Sequence, residues 1–450
     1  MLKPVCHADI PSFVMNLVDR LHGAGFCAYI VGGAVRDMLL DRPISDWDVA
    51  TSALPGEIMS LFQDMTRFKL KHDTVTLVRA GSLYEITTMK GHNRSKPDIM
   101  DDLDHRDFTI DAMAYDTCKK AILDPHKGKK DILRKQVRAV GSPVDRFIED
   151  PLRLIRAIRI ANDLNFSVEG RTFSVIHELS HKLKNSARER VRDELMKILL
   201  SSSPSNGINN LRKTGLLEQI LPELLEGYRK RQNHRHRYTI YRHIMETVDG
   251  VEPDAVLRLT ALFHDIAKPR VRRKIKDEFR FFGHAEEGAK LAEEIMLRLK
   301  FRNELINKVR HLIQYHMIFY NPEWRDSTIR RLLRRIGKEN MDYLLSFRKA
   351  DMRAHGYAGG KIELISELED RVKKLKERSL VIDRRDLAVG GTRVMDILNL
   401  SRGPEVGTVL EKLMERVIED PKLNTEKALV ALLEEMKENE EGITIREVAK

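Results

Sequence analysis

Two acidic residues near the amino end have the spacing of a metal site. Asp46 and Asp48 lie in the run SDWDVATS, which is typical of a strand, and residues two apart on a strand point to the same face. Carboxylates that project side by side suit divalent cations. We therefore expect Asp46 and Asp48 to be catalytic metal ligands.

A glycine pair precedes these acids. The apolar run over 28–31 ends at Gly32 and Gly33, where the backbone can approach a phosphate closely and offer N–H donors to it. Arg36 and Asp37 follow at the expected start of a helix. This order predicts a site for a metal-bound triphosphate, and its simplest use is nucleotidyl transfer. The alternative is an ordinary strand–turn–helix with surface acids, because an isolated Asp-x-Asp is common in turns.

Two later runs combine arginines with acids. Arg106 beside Asp107 can contact a phosphate while the acid orients it. Asp150 and Arg153 are three residues apart near the start of a predicted helix, so they are expected to share a face that could hydrogen-bond the edge of a base. The alternative is a capping acid and a salt-bridged arginine on a solvated helix.

The predicted elements divide the chain into an α/β part and a helical part. Strand patterns occur at 27–31, 47–51, 74–79, 83–88 and 137–140. After Gly141-Ser142-Pro143 the strand signal almost vanishes, and helix patterns follow. Examples of these helices are 151–164, 187–200, 284–300, 327–336 and 405–418.

Composition limits the class of protein. The chain has 450 residues and a net charge of +11, and such a basic balance favours a polyanionic partner. We expect no membrane association, because no apolar run is long enough to span a bilayer. The three scattered cysteines form no pairable framework, which favours the reducing cytoplasm.

Several of these motifs together resemble one family. The sequence is similar to the bacterial class II tRNA nucleotidyltransferases and poly(A) polymerases, and the stretch VGGAVRDMLLDRPISDWDVATSALPGEI is the most specific part of the likeness. HRDFTIDAMAYD and RFIEDPLRLIRAIRIANDLNF match two further motifs of the family. The matching segments are 31–58, 105–116, 146–166, 189–200 and 386–433.

The resemblance implies an α+β fold. A small nucleotidyltransferase head with a short mixed sheet and helices, residues 1–142, would be followed by an elongated all-α remainder. That remainder would comprise a neck for nucleotide selection (143–215), a body with an HD domain (216–380) and a tail that binds tRNA (381–450).

The resemblance also implies a reaction, the template-independent addition of nucleotides to a tRNA 3′ end. Asp46 and Asp48 would hold Mg²⁺, one ion activating the tRNA 3′-hydroxyl and another neutralising the leaving pyrophosphate. Asp150 and Arg153 would read the Watson–Crick edge of CTP or ATP. The implied nucleotide-binding residues are Gly32, Gly33, Arg36, Arg106, Asp107, Asp150, Arg153, Arg156 and Arg159.

Departures from the family pattern bear on specificity. His105 stands where the family has arginine, and Asp111 stands where it has asparagine. The segment between Thr88 and Arg106 is shorter than expected of a full CCA-adding member, which favours the CC-adding subtype, whose product a separate A-adding enzyme completes. A full CCA-adding enzyme, an A-adding enzyme and a poly(A) polymerase are the alternatives within this class.

The helical part carries a second set of chemical residues. His243, the doublet His264-Asp265, His284 and Asp351 follow the order of an HD phosphohydrolase domain. By that resemblance a divalent transition metal would be bound, and a phosphate ester at an RNA end could be hydrolysed. The metal ligands would be His243, His264, Asp265 and Asp351.

Two interpretations compete with HD chemistry. The histidines could be structural parts of a scaffold kept for tRNA docking, or the whole chain could be an RNA-binding protein with an inactive head. The intact pair Asp46 and Asp48 argues against the second. His311 and His316 lie five residues apart, off the i, i+4 ligand spacing, and are expected only near the site. The basic runs 329–335 and 228–237 could each follow phosphates or form solvated basic faces.

Overall fold

The computed structural model describes residues 2–3, 5, 9–44, 46–69, 73–79, 82–91, 98–233, 237–356, 362–377 and 383–438. These residues divide into two compact units, Met1–Leu225 and Glu226–Lys450. The first unit contains the predicted head and neck together. The finer division at residues 142, 215 and 380 stays a prediction.

A seven-stranded mixed sheet dominates the head. Its strands stand in the order β3-β4-β5-β2-β1-β6-β7, with β1 antiparallel to β2, and β2 parallel to β5. This mixed sheet followed by helices confirms the predicted α+β fold. The strands are β1 (Ala28–Val31), β2 (Trp47–Thr51), β3 (Thr66–Lys69), β4 (Thr74–Arg79), β5 (Ser82–Thr88), β6 (Ala114–Asp116) and β7 (Ala121–Leu123).

Sequence patterns found the longer strands and missed the shorter ones. The strands predicted at 27–31, 47–51, 74–79 and 83–88 are confirmed as β1, β2, β4 and β5. The three-residue strands β6 and β7 are too short to show alternation. The strand predicted at 137–140 is wrong beyond its first residue, because β8 covers only Gln136–Val137 and pairs with β9, Ser167–Val168.

Helices pack around the sheet and make up the rest of the first unit. The predicted helices 151–164 and 187–200 are confirmed as α7 and α9. The helices are α1 (Ser12–Gly23), α2 (Gly33–Leu39), α3 (Pro55–Leu61), α4 (Ile99–Asp104), α5 (Gly128–Leu133), α6 (Pro143–Glu149), α7 (Leu152–Leu164), α8 (Gly170–Leu179), α9 (Arg188–Leu199), α10 (Pro204–Lys213), α11 (Leu216–Ile220) and α12 (Pro222–Leu225).

Within its described residues, the second unit has one small hairpin besides its helices, and the sequence patterns missed that hairpin. Its two strands, β10 (Arg273–Ile275) and β11 (Glu278–Arg280), are short and mostly polar, so they show no strand pattern. The first helices are α13 (Ile240–Gly250), α14 (Ala255–Phe263), α15 (Lys268–Val271), α16 (His284–Arg298), α17 (Asn303–Gln314), α18 (Asp326–Ile336) and α19 (Lys338–Ala354).

The tail of this unit has its own apolar core, which includes Val394, Leu413, Val417 and Leu429. The predicted helices 284–300, 327–336 and 405–418 are confirmed as α16, α18 and α22. The remaining helices are α20 (Ile362–Glu377), α21 (Gly391–Leu398), α22 (Pro404–Glu419) and α23 (Glu426–Glu438).

The arginines of α18 serve packing against α22. Arg330 is 8% exposed and donates through Nε to the carbonyl oxygen of Ile418 at 2.7 Å. Arg331 pairs with Glu415 at 2.9 Å, and Arg334 pairs with Glu411 at 2.6 Å. The Arg331 side chain stays 42% exposed, as the predicted basic face requires, but glutamates of α22 pair with two of the arginines and reduce the positive charge of that face. The other basic run, 228–237, lies partly outside the described residues.

Among the described residues, no helix combines the length and the apolar character needed to cross a bilayer.

Candidate functional site

The acid pair lies where β2 begins. Asp46 directly precedes the strand and is exposed, whereas Asp48 lies within it, is partly buried, and stands opposite Val31 of β1. Trp47 between them is only 6% exposed. Because side chains alternate along a strand, the two acids share the face opposite to the buried tryptophan.

Gly32 brings Asp48 and Arg106 together. Its φ of +71° lies in the left-handed region, which favours glycine. A Cβ on Gly32 would lie 3.1 Å from Nη1 of Arg106 and 3.3 Å from Oδ2 of Asp48. A methyl group at this position would be crowded, so glycine lets the carboxylate and the guanidinium approach the backbone at the amino end of α2.

Asp48 lies in a setting that is short of positive charge. Burial raises the pKa of Asp48 to about 6; Arg106 opposes the shift, while the nearby acids Glu85 and Asp46 add to it. A divalent cation bound at this carboxylate would supply the missing charge. The site therefore suits the metal that the sequence predicts for it.

Glu85 is a third acid of this site, and the sequence analysis missed it. It lies on β5, which pairs in parallel with β2 so that Glu85 and Asp48 are directly opposite in register. Neighbouring side chains in register point to the same face of a sheet. Its only sign in the sequence was a glutamate within the strand-like run LYEITT. That sign became informative only once the pairing of β2 with β5 was known.

Arg36 is held by two acids. Its guanidinium contacts Asp37 at 2.9 Å and Asp111 at 2.6 Å, and the arginine side chain is 12% exposed. Asp111 is the residue that departs from the family pattern, and an asparagine there would carry no charge. The departure therefore lowers the positive charge that Arg36 can offer to a phosphate.

Asp107 joins the head to helix α7. One oxygen accepts from Nε of Arg153 at 2.5 Å, and the other lies 2.6 Å from Nη1 of Arg156. Burial raises the pKa of Asp107, but Arg156 and Arg153 outweigh it and hold that pKa below its ordinary value. Arg153 is 6% exposed and also contacts Glu149 at 2.5 Å.

Asp150 lies ahead of the helix that carries Arg153, so helical periodicity does not put the two on one face. Its carboxylate accepts from the N–H of Leu152 at 3.1 Å and pairs with Arg190 at 3.0 Å. Arg159 pairs with Glu194 of α9 at 2.6 Å. Among the described contacts, none joins the side chains of Asp150 and Arg153.

A second cluster forms in the other unit from four helices and their ends. His243 lies within α13 and Asp351 within α19. His264 and Asp265 follow the last residue of α14, and His284 is the first residue of α16. The side chains meet although as many as 108 residues separate them in the chain (351 minus 243).

The four residues predicted as ligands converge on one point. Nε2 of His243 lies 3.0 Å from Oδ1 of Asp351 and 3.3 Å from Oδ2 of Asp265. Nε2 of His264 lies 3.2 Å from the same Asp265 oxygen. All four residues are at most 3% exposed. Two imidazoles and two carboxylates form a donor set that fits a divalent transition metal.

Basic residues of the chain compensate the two carboxylates of this cluster. Lys268 lies 2.6 Å from Oδ2 of Asp265, and Nη1 of Arg348 contacts Oδ2 of Asp351. Burial raises the pKa of Asp265, but His264 and Lys268 outweigh it and hold that pKa well below its ordinary value. Asp265 and Asp351 also outweigh burial at His243 and raise its pKa to about 9.

His316 also belongs to the cluster, although the sequence analysis expected it only near the site. It lies just after the end of α17, is 1% exposed, and its Nε2 is 3.3 Å from Nε2 of His284. His311, within α17, instead contacts the carbonyl oxygen of Ile336 at 2.7 Å. The spacing of five residues was uninformative because His316 is not on the helix.

Three family profiles match the chain in order. They are the poly A polymerase head domain over residues 28–138, the probable RNA- and SrmB-binding site of polymerase A over 165–227, and the HD domain over 236–359.

Curated relatives and solved structures agree with these profiles. The A-adding tRNA nucleotidyltransferase of Deinococcus radiodurans is 31% identical over 420 residues, 86% of this chain and 91% of that protein. The CCA-adding enzyme of Lactococcus lactis subsp. cremoris is 29% identical over 94% of this chain and 96% of that protein. The structure of the Bacillus stearothermophilus CCA-adding enzyme in complex with CTP has a TM-score of 0.71 and 26% identity, covering 96% and 99% of the two chains.

The chain therefore belongs to the family of tRNA nucleotidyltransferases and poly(A) polymerases. It is a nucleotidyltransferase enzyme with a polymerase head and an HD domain. The relatives include both CCA-adding and A-adding enzymes, so they do not select a subtype.

Proposed function

We propose that this protein adds nucleotides to the 3′ end of tRNA by metal-dependent, template-independent nucleotidyl transfer, and that CMP is the nucleotide it adds. The observation that carries the proposal is the convergence of Asp48 and Arg106 on the backbone of Gly32. The names of the curated relatives support tRNA as the acceptor. We also propose a cytoplasmic location, since Cys27 and Cys118 are free.

The acids of the head would hold the metal. Asp46 and Asp48, with Glu85 beside them, offer the carboxylate oxygens that Mg²⁺ prefers. Mg²⁺, when bound, supplies positive charge that activates the tRNA 3′-hydroxyl and neutralises the leaving pyrophosphate. The hydroxyl oxygen forms a bond to the α-phosphorus, the bond to pyrophosphate breaks, and the hydroxyl proton leaves to solvent.

Backbone and arginine groups would position the triphosphate. Gly32 and Gly33 let the phosphates approach the N–H groups at the amino end of α2. The guanidinium of Arg106 lies beside Gly32; Asp102 accepts from its Nε and Nη2, which leaves Nη1 for a phosphate oxygen. The guanidinium of Arg36 lies beside Gly33 and would contribute less, because two acids hold it.

Helix α7 would select the base. Asp107, Glu149 and two backbone carbonyl oxygens accept from the guanidinium of Arg153, so its orientation is fixed before a nucleotide arrives. Arg156 has a side chain that is 36% exposed and could donate to the same nucleotide. Asp150 would have to exchange its contact with Arg190 for a hydrogen bond to the base.

The length of the segment after β5 supports CMP addition. Only residues 89–98 join β5 to α4, where a full CCA-adding member is expected to have a longer flexible loop. We therefore propose that the chain stops after adding CC and that a separate A-adding enzyme completes the end.

The test is a product-length assay on tRNA that lacks its 3′ terminus, with CTP, ATP or both. The expected product is tRNA ending in CC, even when ATP is present. A complete CCA end would overturn the CC proposal and leave tRNA nucleotidyl transfer intact. Adenosine added only to tRNA ending in CC would identify an A-adding enzyme, and an unlimited adenosine tail would identify a poly(A) polymerase.

Matched substitutions connect the activity to the site. Asp48→Asn is expected to abolish incorporation from every nucleotide. Asp41→Asn is the control, because Asp41 is an exposed head acid in the left-handed region, which asparagine tolerates. Equal loss of activity in both variants would contradict the proposed metal site.

The cluster in the second unit favours phosphoester hydrolysis as a second function. The convergence of His243, His264, Asp265 and Asp351 is the observation that supports it. Manganese-dependent hydrolysis of p-nitrophenyl phosphate should be lost in Asp265→Asn and kept in Asp48→Asn. Hydrolysis that survives Asp265→Asn would exclude this cluster as its source.

A further inference from the structure

Two of the three cysteines lie near each other in the head. Cys27 directly precedes β1 and Cys118 follows β6, and both thiols are exposed and free. In the antiparallel pairing of β1 with β6, Ile30 stands opposite Tyr115. The same register, continued by three residues, puts Cys27 opposite Cys118. The two cysteines are 91 residues apart in the chain (118 minus 27), so their relation is visible only after the strands are paired.

Tyr29 indicates that the two thiols share a face of the sheet. Side chains two residues apart on a strand point to the same side, which relates Tyr29 to Cys27. Burial raises the pKa of Tyr29, and ionised Cys27 and Cys118 raise it further. Both thiols therefore lie close enough to the same phenol to affect its ionisation.

Backbone contacts fix the positions of both cysteines. The N–H of Cys27 donates to Oγ of Ser52 at 2.9 Å, and its carbonyl oxygen accepts from the N–H of Ser52 at 3.0 Å. Cys118 lies in the turn between β6 and β7, where its N–H donates to Oδ1 of Asp116 at 3.0 Å. Opposed residues of an antiparallel pair have Cα atoms about 4.5 to 5.5 Å apart, within the range of roughly 4.4 to 6.8 Å that a disulfide needs. The register therefore suits a disulfide once the two side chains turn toward each other.

His22 of α1 supplies a base for one of the two thiols. Its Nε2 lies 3.2 Å from the carbonyl oxygen of Ala28, which can only accept, so Nε2 carries the proton. Nδ1 can then accept a proton, and it lies 3.5 Å from Sγ of Cys118. An imidazole that takes the thiol proton leaves cysteine in its nucleophilic form. No described residue forms a hydrogen bond with the sulfur of Cys27, so Cys118 should react first.

We propose that Cys118 and Cys27 form a thiol–disulfide exchange site, at which Cys118 reacts first and Cys27 resolves the product. The co-reactant is a low-molecular-weight disulfide such as oxidised glutathione. His22 takes the proton of Cys118, whose sulfur bonds to one glutathione sulfur while the other glutathione leaves as a thiol. The sulfur of Cys27 then bonds to that of Cys118, and the second glutathione leaves with the Cys27 proton. Two protein thiols are oxidised and one external disulfide is reduced.

The bond would close a loop in the head at a distance from the acid pair. It would join the residue before β1 to the turn after β6, whereas Asp48 stands opposite Val31 at the other end of β1. In a reducing compartment both thiols stay free, and the bond forms only when oxidised glutathione accumulates. A cross-link between residues so distant in the chain restricts the unfolded state. Oxidation is therefore expected to stabilise the head reversibly.

The test follows the thiols of the full chain by intact mass. Every protein in the set carries Cys6→Ser, so that only Cys27 and Cys118 remain. Each protein is reduced, freed of reductant and treated with oxidised glutathione. The parent should lose two hydrogens per chain and retain no glutathione. Its midpoint of thermal unfolding should rise by several degrees, and dithiothreitol should reverse both changes.

Variants separate the roles of the three side chains. Cys27→Ser should stop at a mixed disulfide that retains one glutathione. Cys118→Ser should react at least about tenfold more slowly than Cys27→Ser, because it lacks the thiol beside the imidazole. His22→Gln, added to Cys27→Ser, should slow formation of the mixed disulfide about tenfold. His177→Gln, at an exposed histidine of α8, is the matched control and should leave that rate unchanged.

Other results contradict parts of the proposal. A parent that keeps bound glutathione, or that forms disulfide-linked dimers instead, would overturn the bond between the two cysteines. Equal rates for Cys27→Ser and Cys118→Ser, unchanged by His22→Gln, would overturn the assignment of Cys118 as the first thiol. Circular dichroism should give the same helical signal for all variants. If His22→Gln fails to fold, the rates of the two serine variants decide which thiol reacts first.

Discussion

Asp48 in the first unit and Asp351 in the second are acids of the two proposed metal sites, and their surroundings differ in charge. Burial and neighbouring acids raise the pKa of Asp48 to about 6, although Arg106 opposes them. Burial also raises the pKa of Asp351, but Arg348 and His243 outweigh it and hold that pKa well below its ordinary value. The positive charge near the body acid therefore outweighs its burial, whereas Arg106 does not outweigh the burial of the head acid.

This difference indicates two ways of preparing a metal site. The body cluster contains its own compensating cations, Lys268 and Arg348, each three residues from the acid it contacts. The charges of its two carboxylates are therefore compensated before any ion binds. The head site stays short of positive charge until a cation arrives, so ion binding should stabilise the head more strongly.

The largest expected effect tests whether the two sites act independently. Asp48→Asn should lower CMP incorporation at least about 100-fold, because it removes a ligand at the reacting centre. Asp265→Asn should leave incorporation within about threefold of the parent, because Asp265 belongs to the other unit. Initial rates on tRNA lacking its terminus measure both. A large loss of CMP incorporation in Asp265→Asn would show that the two sites are coupled and would contradict their independence.

The next effect concerns stability of the body without metal. In protein freed of metal with a chelator, Asp351→Asn should lower the free energy of unfolding by about 3 kcal/mol. The reason is that Arg348 is 6% exposed and would lose its partner. A lowered pKa stabilises the fold at pH above 3.8, so the loss should persist from pH 5 to pH 8. Urea unfolding measures it.

The control for that variant lies on the same helix. Asp342→Asn removes an ion pair with Lys376 whose acid side chain is 72% exposed, so it should cost less than about 1 kcal/mol. Similar losses in Asp342→Asn and Asp351→Asn would contradict the claim that the body acid is buried and compensated.

In the head, replacing the acid of the metal site should stabilise the metal-free protein, whereas in the body it should destabilise it. Asp48→Asn should stabilise the metal-free protein at pH 8 by about 1 kcal/mol, because it removes a charge that burial disfavours. The raised pKa of Asp48 means that the penalty is full above pH 6 and declines as the pH falls from 6 toward 3.8. Thermal unfolding in EDTA at several pH values measures the gain. Destabilisation at pH 8 would contradict the assigned charge imbalance.

The smallest expected effect concerns the departure at Asp111. Asp111→Asn should release positive charge at Arg36 and lower KM for CTP about threefold, with kcat little changed. Steady-state kinetics at fixed tRNA measures both constants. An unchanged KM would mean that Arg36 does not contact the nucleotide.

The sequence predicted the head site well because its main parts are contiguous. Asp46, Asp48 and Gly32 lie within one short run, so strand alternation and glycine chemistry were enough to relate them. Glu85 was missed because only the parallel pairing of β2 with β5 brings it beside Asp48. Asp150 was placed on the same helix face as Arg153 because the sequence did not show that the helix begins at Leu152.

The body was predicted in part, for a related reason. The order of His243, His264, Asp265 and Asp351 followed a known pattern, and the structure brings these four together. His316 could not be assigned by helical spacing, because α17 ends at Gln314. The basic run of α18 likewise gave no sign that glutamates more than seventy residues away would pair with two of its arginines.

Asp107 links helix α7 to the segment that carries Arg106. Its two oxygens bind Arg153 and Arg156, which lie on successive parts of α7 and face the segment that also carries Arg106. A rotation of α7 to admit a different base must either break two ion pairs or pull residue 107 with it. A change of nucleotide preference would therefore also shift the guanidinium of Arg106 at the triphosphate. The choice of base and the affinity for the phosphates would then change together.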